Sequence, residues 1–188
     1  MKRLILITGR PGIGKTTILT RVIDRLKSDG YNVGGFTSAE LRVNGVRVGF
    51  KIKDLSTGES DILAHIDLRG GPSLGKYHVN LNSLSNIGSS SIVRALENAD
   101  IIAVDEVGPM ELFSNAFRTA LKGAVDSKKP MLCTLHANAR DPIIEYIKSR
   151  EDSILFEVTL NNRERLHEKL VALLHSILKS KTATAPGV

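Results

Sequence analysis

The segment Gly9-Arg10-Pro11-Gly12-Ile13-Gly14-Lys15-Thr16 constrains this chain more than any other. It matches the pattern G-x-x-x-x-G-K-[ST] in full. Residues 4–8 before it are a short apolar run. Residues 15–28 after it carry Ile18, Leu19, Val22, Ile23 and Leu26 at helical spacing, and Asp29-Gly30 closes that helix with a left-handed cap. A chance glycine turn could carry the same letters. The strand–loop–helix setting is what distinguishes a phosphate cradle. Its backbone N–H groups can wrap a β-phosphate, and glycines allow close approach with no Cβ in the way. The helix start presents its partly positive end to the anion. Lys15 is then placed to neutralise the β- and γ-phosphates, Thr16 to ligate Mg²⁺, and Thr17 to bond the α-phosphate. The expected ligand is a nucleoside triphosphate with Mg²⁺.

Such a site needs a carboxylate on the metal side, and Ile101-Ile102-Ala103-Val104-Asp105-Glu106 supplies one. An apolar strand delivers two acids at its C-terminal end, the edge where open α/β sheets bind ligands. Asp105 is expected to hold Mg²⁺ and Glu106 to polarise an attacking water as general base. The bland reading makes both ordinary loop acids. A glutamate directly after the aspartate favours water as the acceptor, because a kinase has no need of a water-activating base. Glu111, five residues further on, either supports the base, reaches the metal, or is a solvated carboxylate at a helix start. Thr134 and His136 follow the buried run Met131-Leu132-Cys133. If that strand neighbours the Asp105 strand, His136 points toward the γ-phosphate; otherwise it is a capping or surface histidine. Added positive charge in the transition state could come from Arg42, Arg47, Arg140 or Arg163, and the sequence does not choose among them.

The other segments complete an α/β pattern. Asn44-Gly45 between Leu41-Arg42-Val43 and Val46-Arg47-Val48 is a strong hairpin signal. It predicts an antiparallel β-meander inserted over residues 33–66. Residues 69–91, rich in Gly, Ser and Asn, read as a loop with a short strand around residues 77–81 and a helix capped at Ser89–Ser91. Further helices are predicted over 112–125, over 142–149 behind an Asp141 cap with Pro142 at the first position, and after Asn161 or Asn162. Strands are predicted at 131–135 and 154–160. Apolar strands alternating with helices imply a central, mostly parallel sheet flanked by helices. Residues 1–180 read as one domain and 181–188 as a disordered tail.

The 188 residues suffice for a single well-filled core. No apolar run approaches the roughly 18–20 residues of a membrane span. The apolar run after Met1-Lys2-Arg3 is roughly half a signal-peptide core and leads straight into the glycine loop, so a cytoplasmic location is expected. The single cysteine, Cys133, rules out an internal disulfide and reads as a buried filler. A formal charge of +6 suits a polyanionic ligand, but it is spread along the chain. Aromatic residues are only 4%, poor material for stacking bases, so nucleic-acid binding has no support beyond charge. No feature indicates an oligomeric state.

These residues together resemble the small nucleoside-triphosphatases described from thermophilic bacteria and archaea, with a human cancer-related relative. The likeness spans about residues 3–178. It rests on Ile7 to Thr17, on Gly35-Phe36-Thr37 with Glu40-Leu41-Arg42, and on Gly45-Val46-Arg47-Val48-Gly49-Phe50. Gly75-Lys76-Tyr77, Val104-Asp105-Glu106-Val107-Gly108-Pro109-Met110-Glu111 and Asn162-Arg163 extend it. The resemblance implies a RecA-like P-loop NTPase fold. It also implies slow, Mg²⁺-dependent release of phosphate from ATP, GTP, CTP, UTP and other nucleoside triphosphates, with little base selectivity. Val107 and Gly108 join the nucleotide-binding set on this ground. Ala137 stands where the family pattern places a basic residue after the histidine. The rival functions are a nucleotide or polynucleotide kinase and a nucleotide-gated RNA-binding module.

Overall fold

A computed structural model describes residues 2–182. Its elements, in chain order, begin with β1 (Leu4–Thr8), α1 (Lys15–Ser28), β2 (Val33–Val43), β3 (Val46–Asp54), β4 (Ser60–His65), β5 (Ser73–Leu74) and β6 (Tyr77–Val79). There follow α2 (Leu81–Ser83), a π-wound turn (Leu84–Ser89), α3 (Ser90–Asn98), β7 (Ile101–Val107) and a 3₁₀ turn (Glu111–Phe113). The chain continues with α4 (Asn115–Asp126), β8 (Met131–Leu135), α5 (Pro142–Ser149), β9 (Ser153–Glu157) and α6 (Leu166–Thr182).

All the strands join one sheet in the order β5-β6-β4-β3-β2-β7-β8-β1-β9. The five strands from β2 to β9 in that order are parallel, and β3, β4, β5 and β6 extend the sheet antiparallel. The expected meander is therefore an outgrowth of the same sheet. β2 begins in parallel register with β7 at residues 33–36 and runs on as the first arm of the hairpin. Asn44 and Gly45 have φ of 48° and 79°, the two positive values that a type I′ turn demands.

Alternation along the strands splits the core in two. Leu4, Leu6, Ile102, Val104, Met131 and Cys133 face a layer that includes Phe117 of α4 and Ile92 of α3. Ile5, Ile7, Ile101, Ala103 and Leu132 face α1 and α6. Both faces of the central strands are covered, which is why these strands read as unbroken apolar runs. Gly35 sits where a side chain has no room: its φ is +104°, and a Cβ there would lie 2.0 Å from the Ala103 carbonyl oxygen.

The structure corrects the sequence reading in five places. Residues 81–98 are helical throughout, and Asn80, not Ser89–Ser91, caps the run by accepting from the amides of Asn82 and Ser83. The serines that suggested a loop bond back to carbonyls of their own helical run, Ser89 to Leu84, Ser90 to Ser85 and Ser91 to Gly88, while Leu84 and Ile87 are buried. The helix predicted from 112 starts at Asn115 behind a Ser114 cap. The strand predicted over 154–160 ends at Glu157. Asn162 caps the preceding turn through Thr159 N, and α6 begins only at Leu166. That helix reaches Thr182, into the stretch expected to lack order; residues 183–188 lie outside the described residues. Among the described residues no helix is long and apolar enough to cross a membrane.

Candidate active site

β8 pairs with β1 on one side and β7 on the other, so a single strand separates the glycine loop from the carboxylates. This meets the condition on which the reading of His136 depended. The C-terminal ends of β1, β8 and β7 bring Lys15, Thr134, His136, Asp105 and Glu106 to one edge of the sheet.

The loop is held by its glycines. Gly9, Gly12 and Gly14 take φ of 148°, 75° and 112°, and Gly14 leads directly into α1. A Cβ on Gly9 would come within 2.9 Å of the Val158 carbonyl oxygen, so β9 packs against the loop's first residue. Lys15 is buried, and its Nζ donates 3.2 Å to the Gly9 carbonyl, folded over the loop it belongs to. Arg10 and Pro11 are exposed at the tip, whereas Ile13 is partly buried against the α1–α6 core.

Asp105 is fully buried on β7, and its Oδ1 accepts a 2.6 Å hydrogen bond from the Thr134 hydroxyl. Its Oδ2 is buried and has no partner. Burial pushes this carboxyl above its ordinary range. The Thr134 and Thr16 hydroxyls, the Ser38 main chain and the Lys15 ammonium pull it back toward the ionised form. Thr16 and Ser38 are thus close enough to favour the charge without completing a hydrogen bond to Oδ2. An orphaned buried carboxylate oxygen beside a threonine hydroxyl fits a divalent cation whose other ligands are phosphate oxygens and water. The described residues contain no group of three or more His, Cys, Asp or Glu suited to holding a metal alone. Thr16 and Asp105 are the residues that would hold Mg²⁺.

Glu106 follows on the same strand, where the β7–β8 register slips between Val104 and Val107. The Asp105–Glu106 peptide bond is cis. Glu106 Oε1 is buried and unpartnered. Burial raises the Glu106 carboxyl, Lys15 lowers it and Asp105 raises it further. His136 donates its main-chain N–H to the Val107 carbonyl at 3.1 Å, which anchors it to β7. Burial and the Lys15 ammonium hold its imidazole below the usual histidine range, and its Nδ1 is buried without a partner. A methyl group placed on Gly108 would lie 3.2 Å from Glu111 Oε2, 3.4 Å from His136 Cβ and 3.6 Å from Glu106 Oε1. The three side chains therefore surround one α-carbon.

Glu111 is not the solvated helix-start carboxylate that one reading allowed. It is buried in the 3₁₀ turn, where desolvation pushes its carboxyl up to about 8, its own and the Gly108 amides lower it, and Glu106 and Asp105 raise it. Three acids crowd one pocket, and this one is neutral at pH 7.

The arginines are disposed differently. Glu40 Oε2 accepts from Arg42 Nε and Nη2 at 2.9 and 2.6 Å, and Glu40 Oε1 accepts from Arg47 Nη1 at 2.7 Å. Arg47 also donates to the Tyr77 hydroxyl at 3.0 Å and lies over the Phe50 ring. Both candidates are committed to the hairpin. Arg163 is exposed and paired with Glu164, on the β9 side of the loop. None of the three reaches the carboxylates.

Two roles were hidden in the sequence. Thr134 was visible as the one hydroxyl in an apolar strand, but its bond to Asp105 depends on strand order. Ser38 acts through its main chain and leaves no side-chain signal. Two clefts lie elsewhere, one beside Lys27, Asn32, Leu55 and Arg94, the other between α3 and α4, away from the glycine loop and the acids.

A glycine loop, a buried lysine and two strand-end acids separated from the loop by one strand define a RecA-like P-loop protein. The sequence model described as NTPase matches residues 4–171, and the chain belongs to that family. It is 42% identical to the nucleoside-triphosphatase THEP1 of Thermofilum pendens over 174 residues, 92% of this chain and 96% of that one. The crystal structure of THEP1 from Aquifex aeolicus superposes with a TM-score of 0.82 at 30% identity, covering 91% of this chain and 98% of that one. The solution structure of a human cancer-related nucleoside triphosphatase gives 0.78 at 33% identity, with coverage of 93% and 98%.

Proposed function

We propose that this chain hydrolyses nucleoside triphosphates to the diphosphate and inorganic phosphate, with Mg²⁺ as cofactor and little preference for the base. The relatives' name supports the reaction. One observation carries the assignment of its chemistry: Glu106 Oε1 is buried, unpartnered and within the electrostatic reach of Lys15. A carboxylate oxygen so placed can accept the proton of a water attacking the γ-phosphorus. Lys15 binds the β- and γ-phosphates, the loop amides from Gly9 to Thr17 hold the phosphate chain, and Thr16 and Asp105 hold the metal. When bound, Mg²⁺ supplies charge neutralisation on the β- and γ-phosphate oxygens. Thr134 favours the ionised form of Asp105 against its burial and orients it. His136 is a neutral imidazole at the end of β8, with a free nitrogen to orient the water or bond the γ-phosphate. Val107 and Gly108 close the pocket behind Glu106.

The test is phosphate release from ATP, GTP, CTP and UTP under single-turnover conditions with Mg²⁺ and no second substrate. Comparable rates on all four, abolished by EDTA and by Lys15→Ala, are expected. Transfer of the γ-phosphate to an added nucleotide or polynucleotide instead of water would make the chain a kinase.

A further inference from the structure

The catalytic groups all lie on one side of the glycine loop. The sheet order β7-β8-β1-β9 puts Asp105, Glu106 and His136 on the β8 side of β1 and leaves β9 on the other. With the γ end at Glu106, as proposed above, the β9 side is the one left open for the nucleoside. β9 runs parallel to β1 with Glu157 beside Thr8, so both strands end at the same edge and the chain after Glu157 leaves the sheet next to Gly9. The Val158 amide donates to the Thr8 carbonyl at 2.8 Å and holds that exit in place.

The turn that follows is fixed on both sides. Asn162 Oδ1 accepts from the Thr159 amide at 2.9 Å, and its Nδ2 donates to the Glu157 carbonyl at 2.9 Å. Glu164 faces Arg21 of α1 at 3.9 Å. On this pinned turn stands Leu160, 71% exposed, the most exposed large hydrophobic among the described residues. An isolated surface leucine needs no explanation. A leucine two residues beyond Val158, whose carbonyl packs against Gly9, on the β9 side of the loop, is a different case.

We infer that Leu160 forms the apolar shelf of a base-binding subsite, touching the face of a purine or pyrimidine ring. A ring face offers apolar area whatever its edge groups, so a shelf of this kind binds every base without reading any. This inference rests on the triphosphate orientation proposed above and deepens it, by accounting for the breadth of the substrate range.

The test uses binding as well as turnover, so it stands even if hydrolysis is weak. The chain contains no tryptophan, which makes Leu160→Trp a single-probe variant of an exposed position. Its emission is expected to change on adding ATP, GTP or CTP with Mg²⁺, and to stay unchanged with inorganic tripolyphosphate, which has no base. In parallel, Leu160→Ser is expected to raise KM for all the nucleotides about fivefold to tenfold, the loss of one apolar contact. kcat and the hydrolysis of tripolyphosphate stay within about twofold of wild type. Emission that responds equally to tripolyphosphate, or nucleotide KM values unmoved by Leu160→Ser, would overturn the inference.

Discussion

The Thr134 hydroxyl donates to Asp105 Oδ1 at 2.6 Å across the adjacent strands β8 and β7, inside a fully buried pocket. This bond leaves Oδ2 without a partner. Thr134→Val keeps the shape and removes the donor, so a buried carboxylate loses its only hydrogen bond. We expect urea denaturation to show a loss of about 1–3 kcal/mol, the cost of an unsatisfied buried group. The Mg²⁺ concentration for half-maximal phosphate release should rise at the same time. Unchanged stability and unchanged Mg²⁺ demand would remove Thr134 from this role.

Glu111 gives the fold a pH dependence of its own. Its carboxyl is raised to about 8 in the fold against an unfolded value near 4.5, so the native state binds the extra proton between those values. Stability from this group is therefore fullest below about pH 4.5 and declines as pH rises toward 8, by a few kcal/mol at most. His136, held below its ordinary value, works in the opposite direction, gaining stability as pH rises through about 6.5. Comparing wild type with Glu111→Gln cancels the histidine, which both proteins share. Denaturant unfolding from pH 5 to 8 should show wild type losing stability relative to the variant as pH rises. A constant difference between them would show that Glu111 is ionised throughout.

Arg42 and Arg47 are held by Glu40, so neither is expected to act in the transition state. Arg42→Ala and Arg47→Ala should each leave kcat within about threefold of wild type. An arginine contributing charge to phosphoryl transfer would cost ~10³ or more when removed, and a stopped assay separates these outcomes easily.

Gly35 tests the junction between the central sheet and the hairpin. A Cβ there would lie 2.0 Å from a main-chain oxygen of β7, at a φ that side chains rarely adopt. Gly35→Ala is expected to cost about 3 kcal/mol or more, by steric clash added to the strain of positive φ. Thermal denaturation or recovery in the soluble fraction reads this directly.

How far the sequence could be read follows from the range of the interactions involved. The strand–loop–helix setting of the glycine loop was legible because its signals are all local, from the apolar run of β1 to the periodic residues of α1. The hairpin at Asn44-Gly45 was legible for the same reason. Asp105 and Glu106 stood out because acids rarely end an unbroken apolar strand. What could not be read was which strand lies beside which. The partnership of Thr134 with Asp105 and the position of His136 both wait on β8 entering between β1 and β7. Residues 81–91 were misread because serine and asparagine usually mark loops, whereas here the serine hydroxyls bond within the helical run and the Asn80 side-chain oxygen caps its start. The burial of Glu111 depends on the turn folding it under Gly108, which spacing alone does not announce.

In the proposed reaction Glu106 takes the proton from the attacking water. Glu106→Gln keeps the size and polarity of the side chain and removes its basicity. Single-turnover phosphate release with saturating Mg²⁺ and ATP, measured beside equilibrium ATP binding, is the most direct test. Binding is expected to stay within about threefold while the rate falls by about 10² to 10⁴. Phosphate release by Glu106→Gln at the wild-type rate would contradict it.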